Sequence, residues 1–233
     1  MFQKNGTLFC FYGKKLYLCI EFINNNNMLT EEKINANFLK WIKCLERYDC
    51  YSQSMINDIG DKIKNAPFTL DENMGGAYQG AMIDIVLNHL CTIATHINDH
   101  AFKGNDENRI NHSNLYVNKN MLMKVLLLQH ISKAEMFVYQ TQQWKAKNGQ
   151  FYDFNDELNT KLKTGERSIF MCQKYGIELS EEEYEAMCII DKNEENGDIY
   201  SNSLTMLVKY VNKLTAIDIR HKQVKKNKEI IEQ

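Results

Sequence analysis

His96 and His100 stand four residues apart with Asp99 between them, and on a helix two histidines at that spacing share a face and can hold zinc. No glutamate follows the first histidine as in a His-Glu-x-x-His site, and a polar stretch adjoins the pair, so solvated histidines are the preferred reading. His89 lies three residues from Val86 in an apolar run and reads as a buried or half-buried packing histidine. Seven cysteines, Cys10, Cys19, Cys44, Cys50, Cys91, Cys172 and Cys188, are odd in number and never spaced Cys-x-x-Cys, which fits reduced thiols in a cytosol-like compartment. Nothing local pairs one of them with a histidine as a nucleophile. Gly75-Gly76 is followed by no Gly-Lys-Ser/Thr, so no Walker loop is present. Trp144 with Phe151, Tyr152 and Phe154 suits either a partner-binding patch or the anchoring of a loop to the core. Arg220 to Lys228 is locally basic but lacks interleaved aromatics, so a solvated helix end is preferred over a nucleic-acid site.

These groups need a scaffold, and the composition says which kind. A chain of 233 residues with 44% apolar and 25% charged residues can bury a sizeable core. Lys plus Arg total 28 against 30 for Asp plus Glu, a balance that supplies no overall field for nucleic acid or an anionic membrane. No run approaches the roughly 18 apolar residues of a membrane span, and Leu16–Ile20 is too short and too closed in by charge for a span or a signal peptide. A soluble, cytoplasmic protein is expected. The single proline, Pro67, favours helices over a turn-rich sheet fold. Asn and Lys abound, as in Asn24–Asn27, which points to an AT-rich genome, that of a phage or a low-GC bacterium.

Residues 7–12 and 16–22, with Gly13-Lys14-Lys15 between them, read as a short hairpin. From Thr30 the period becomes helical. Helices are expected over 30–48, 51–64, 79–98, 119–139, 165–175, 180–190 and 203–220, with polar loops at 102–118 and 193–197 and an irregular excursion or small hairpin within 142–164. The expected fold is therefore all-α: about seven helices with a small N-terminal β-hairpin. It divides into a hairpin or extension over 1–27, a helical domain over 28–220 and a charged tail over 221–233, helical or coiled.

One set of residues is ordered like a known site. Ala66-Pro67 is followed by Gly76-Ala77-Tyr78-Gln79-Gly80-Ala81-Met82-Ile83-Asp84-Ile85; then come Leu126-Leu127-Leu128-Gln129-His130-Ile131-Ser132-Lys133, Lys161 to Ser168, Leu179 to Ala186, and Val211-Asn212-Lys213-Leu214-Thr215-Ala216. In order and spacing this resembles the HD-domain phosphohydrolases of bacteria and phages, over about residues 65–216. The resemblance places Ile85 and Gln129 where the family has metal-binding histidines, His130 where it has the aspartate beside the second histidine, and Asn212 where a last aspartate completes the site. Thr164 and Ile190 likewise lie where relatives carry histidines.

The family's metal polarises a phosphoryl group and activates a water, which requires imidazole and carboxylate ligands converging from several helices. Ile85 cannot ligate, Gln129 and Asn212 are weak neutral donors, and His130 alone is not a site. The resemblance thus implies the fold without the hydrolysis: no metal, no cofactor and no catalysis, but an interaction or structural module whose partner is another protein or a second copy. A phage accessory or virion-associated role, in host cytoplasm or virion, suits the composition. The alternative is a residual phosphohydrolase or nucleotide binder in the vestigial pocket. Lys133 resembles the family's phosphate-contacting lysine, and with Lys163 and Arg167 it would hold the anion; ordinary surface charges are the competing reading.

Overall fold

Thr30 opens the first helix as its residue pattern requires: its hydroxyl accepts from the Lys33 N–H at 3.3 Å, Glu31 and Glu32 occupy the first turn, and Arg47 the last. In the computed structural model, which describes residues 2–4, 7–12, 15–19, 29–102, 117–147, 150–191 and 201–231, this helix, α1, runs Glu31–Arg47 and buries Ile34, Trp41 and Leu45. Helix α2, Gln53–Asn65, starts at the Ser52 cap and stops before Pro67, whose ring excludes helical backbone at Ala66. A one-turn 3-10 helix, Glu72–Met74, and the positive φ angles of Gly75 (76°) and Gly76 (90°) then fold the chain back.

A continuous helical run crosses the molecule over 81–102. It is α3, Ala81–Ile85; a π turn, Val86–Leu90; α4, Cys91–His96; and a second π turn, Ile97–Phe102. Against it lies α5, Lys119–Leu128, in which Leu122, Val125, Leu126, Leu127 and Leu128 are all but wholly buried. The Trp41 indole donates to the Leu127 carbonyl at 3.3 Å and ties α1 to this centre.

The helix expected over 119–139 is not one helix. It breaks after Leu128, resumes as α6, Lys133–Met136, and gives way to strand β4, Phe137–Tyr139. An aromatic, β-branched, aromatic triplet is poorly suited to a helix and well suited to a ladder. Strand β5, Tyr152–Phe154, pairs with β4 in antiparallel register, Val138 opposite Asp153, and α7, Gln143–Lys147, lies in the connection. The expected small hairpin therefore exists, with its first strand taken from the end of the expected helix.

Helices α8, Thr164–Lys174, α9, Glu181–Cys188, and α10, Ser203–Ile231, complete the bundle, with a 3-10 turn at Ile189–Asp191. The Ser180 capping box is formed in both directions. Close crossing of α8 and the end of α9 needs the glycine at 165, because a Cβ there would overlap the Met187 carbonyl oxygen. Helix α10 continues past 220, so the charged tail is helical to Ile231.

The N-terminal segment forms three antiparallel strands rather than two: β1, Phe2–Lys4, β2, Thr7–Tyr12, and β3, Lys15–Cys19, in the order β1-β2-β3. Cys10 stands opposite Tyr17. Residues 103–116 of the loop expected over 102–118, all of the loop expected over 193–197, and the Asn24–Asn27 run lie outside the described residues. The chain is mainly helical with small antiparallel sheets, and no described helix is long and apolar enough to cross a membrane.

Candidate functional site

The break after α5 sets up the site. The Ser168 hydroxyl donates to the Gln129 carbonyl at 2.9 Å, and the hydroxyl oxygen accepts from the Ser132 N–H at 3.2 Å, so a side chain from α8 stands where a helical backbone bond would run. The Ser132 hydroxyl donates in turn to the Thr164 carbonyl at 2.8 Å. Around the gap the bonds tighten to three-residue spacing, Ile131 to Leu128 (3.1 Å), Lys133 to His130 (3.0 Å) and Ala134 to Ile131 (3.1 Å). This turns Gln129 and His130 inward together. Ser168 is wholly buried, and Ser168→Ala would orphan both backbone groups. Its expected cost is about 1–3 kcal/mol, read as a fall of several degrees in the thermal midpoint.

Three of the positions singled out by the family resemblance meet directly. His130 Nε2 lies 3.2 Å from Asn212 Oδ1; Asn212 Nδ2 donates to Gln129 Oε1 at 3.0 Å and to the Val208 carbonyl at 2.8 Å. With both Asn212 protons directed at oxygens, its Oδ1 faces the imidazole, so His130 Nε2 carries the proton and donates. His130 Nδ1 is then a bare acceptor. It and Gln129 Nε2 are buried without a hydrogen-bond partner among the described residues. Burial holds the His130 imidazole well below its usual pKa, the Lys133 charge adds to this, and the bond to Asn212 opposes it. The ring is neutral at neutral pH.

Ile85 joins this cluster through a fourth side chain. It is buried with Ala81 and Ile219 beside Phe68 and Tyr78, and the Phe68 ring meets His130 edge-on, 4.9 Å between centroids at 74°. Phe68 is held by its N–H on the Gly76 carbonyl at 2.8 Å. At Gly76 a Cβ would approach Ile85 Cδ1 to 2.9 Å and Phe68 Cβ to 3.1 Å, so the glycine lets the loop close over the isoleucine.

The residues present do not fit a divalent metal. Ile85 offers no donor, the Gln129 and Asn212 side-chain oxygens are engaged by Asn212 Nδ2 and His130 Nε2, and no carboxylate among the described residues is bonded to the cluster. Only His130 Nδ1 remains as a strong ligand. Among the described residues no three His, Cys, Asp or Glu side chains are grouped to hold an ion.

The three cations proposed for an anion have different partners. Lys133 is buried, donates to the Phe68 carbonyl at 2.6 Å and sits 3.4 Å from the centre of the Phe68 ring. Arg167 is buried, donates to the Thr160 carbonyl and hydroxyl at 2.8 and 3.0 Å, and lies 3.9 Å from Glu135. Neither is an ordinary surface charge. Lys163 is exposed beside the start of α8, where its backbone N–H donates to Glu166.

Elsewhere, His89 does more than pack: its Nδ1 lies 2.8 Å from the Asp218 carboxylate, which also accepts from Lys222 at 2.9 Å. His96 is exposed and Asp99 pairs with Lys119 at 2.8 Å, while the side chain of His100 lies outside the described residues. The aromatic cluster divides: Tyr152 is buried with its ring against Tyr139, whereas Trp144 is 63% exposed and Phe154 is exposed too. Cys44, Cys50, Cys91 and Cys172 are thiols outside any disulfide, and burial pushes Cys50, Cys91 and Cys172 up to about 12, which leaves them poor nucleophiles.

Sequence reasoning missed Ser168, Phe68 and Asp218. Ser168 and Phe68 stood beside singled-out positions without any signal of their own. Asp218 lies 129 residues from His89 in sequence.

What the fold and site define is a mainly helical protein with a neutral, enclosed polar cluster at its centre. No protein-family model, no curated protein and no solved structure matches the chain.

Proposed function

We propose that the chain is a catalytically inactive relative of the HD-domain phosphohydrolases, used as an interaction or structural module. The observation that carries the reading is the neutral chain His130–Asn212–Gln129, closed over by Ile85 and Phe68. Side chains from the turn after α5 and from α10 meet there, with Ile85 of the 81–102 run behind Phe68, and they supply amides and an alkyl group in place of ligands. A site with those donors neither lowers the pKa of a water nor offsets the charge of a phosphoryl group.

Residual nucleotide binding is the weaker reading. Lys133 and Arg167 already have internal partners, and the nearby cleft of about 670 Å³ between Ala66-Pro67 and β4 includes Glu135 and Glu157 with Lys62 as the one cation among its described lining residues. Two carboxylates disfavour a phosphate there. A phage accessory or virion-associated setting rests on the Asn- and Lys-rich composition, and a reducing compartment is supported by the free thiols.

The test is metal content by elemental mass spectrometry after dialysis without chelator, together with turnover of phosphomonoesters and nucleotides in added manganese, cobalt or nickel. Less than about a tenth of a metal per chain is expected, with no turnover above that of His130→Ala. Near-stoichiometric metal with turnover lost in His130→Ala overturns the proposal.

A further inference from the structure

Helix α10 has 29 residues and so a length of about 43 Å. Its inner face is core: Leu204, Leu207, Val208, Val211, Thr215 and Ile219 are buried. A helix that only served this core would be polar on the other side. Instead Met206, Tyr210, Ile217 and Val224 are 40, 57, 45 and 44% exposed. Their spacings of four, seven and seven put them on one stripe, nearly opposite the core face, at the seam positions of a heptad. The seam positions between them are Lys213 and Arg220, both exposed, and Lys209 flanks the stripe.

Charge chooses the occupant. From 203 to 231 the helix has seven Lys or Arg and two Asp or Glu, a net of +5 in a chain of formal charge −2, so the other residues together carry −7. At 100° per residue Asp218 falls on the inner side, and among the described side chains of the helix the outer stripe is apolar and basic. Two such stripes facing each other would set Lys213 and Arg220 against like charges, which disfavours pairing of α10 with α10 of a second copy. The apolar stripe is one residue wide and interrupted by cations, too narrow to lie in a bilayer interface. Its middle is apolar, where a phosphate-binding face would be cationic.

We infer that the outer face of α10 is a docking seam for an acidic amphipathic helix of a partner protein, forming a two-stranded coiled coil in which apolar residues meet Tyr210, Ile217 and Val224 and carboxylates meet Lys213 and Arg220. The inference deepens the interaction-module reading by naming a surface and a partner chemistry. None of these side chains belongs to the His130 cluster, so the metal and turnover assays can fail while this stands, and the reverse.

The experiment is fluorescence anisotropy of a labelled acidic peptide of about four heptads, with isoleucine every seventh residue and glutamate at the other seam and flanking positions, titrated with the full chain. Micromolar binding is expected, weakened at least about tenfold when the peptide carries lysine for glutamate and again by Ile217→Glu in the chain. Lys213→Glu should weaken the acidic peptide and strengthen the lysine peptide, a swap that loss of folding cannot produce; circular dichroism checks the helix content. No binding, equal binding of both peptides, or tighter binding of phosphatidylserine vesicles or single-stranded RNA overturns the inference, as does self-association that Ile217→Glu abolishes.

Discussion

Ile85→His, Gln129→His, His130→Asp and Asn212→Asp introduced together convert a chain expected to hold less than about a tenth of a divalent metal into one that holds about one. The positions already converge: Gln129, His130 and Asn212 are joined by bonds of 3.0 and 3.2 Å, and Ile85 is linked to them through Phe68. The four changes place two imidazoles and two carboxylates there, a donor set that suits manganese, cobalt or nickel and neutralises a divalent charge. Without metal the quadruple variant buries two like charges and loses the amide chain, so it should melt below the parent. Metal binding then becomes folding energy, and the midpoint should rise with metal concentration. Ile85→His alone should take up no metal, since one imidazole beside neutral amides is not a site. A folded quadruple variant that neither retains manganese nor melts higher in its presence would show that the four positions are not a vestigial metal site.

The difference between what was legible and what was not follows from range. Thr30, Ser52 and Ser180 act on N–H groups three residues away, so their helices could be read from the sequence almost to the residue. The central apolar helices were legible through their period, and the order of motifs brought out Ile85, Gln129, His130 and Asn212. The break at Gln129 was not, because its cause is a hydroxyl 39 positions further along the chain. Nor were the π turns, for Val86–Leu90 carries no glycine or proline to mark it. Lys133 and Arg167 looked like surface charges because sequence does not reveal that one is buried under Phe68 and the other against Thr160. The second stripe on α10 was hidden by its own regularity: apolar residues on two opposite faces cancel the one-sided pattern that marks a surface helix.

The ion pair between Lys124 and Glu183 shows the same dependence on tertiary context and has the largest expected effect on stability. Lys124 projects from the middle of α5 to Glu183 at 3.0 Å, with side chains 16 and 5% exposed. The Glu183 carboxylate also accepts the Ser180 N–H at 2.8 Å, so one group closes the α9 capping box and neutralises a charge in the core. Glu183→Gln keeps an oxygen for the cap but leaves the ammonium buried without its counter-charge. Breaking such a pair from one side costs about 3–5 kcal/mol, which in a chain of this size lowers the thermal midpoint by about 6–20 °C. Lys124→Met in the same chain should recover most of the loss, because the desolvated charge is then gone and a thioether fills the space near Cys50 and Cys172. The two single variants and the double variant form a thermodynamic cycle whose coupling energy reads the pair alone. A shift below about 2 °C for Glu183→Gln, or a double variant no better than either single one, would mean that solvent reaches the pair and that α5 and α9 are held together by their apolar contacts.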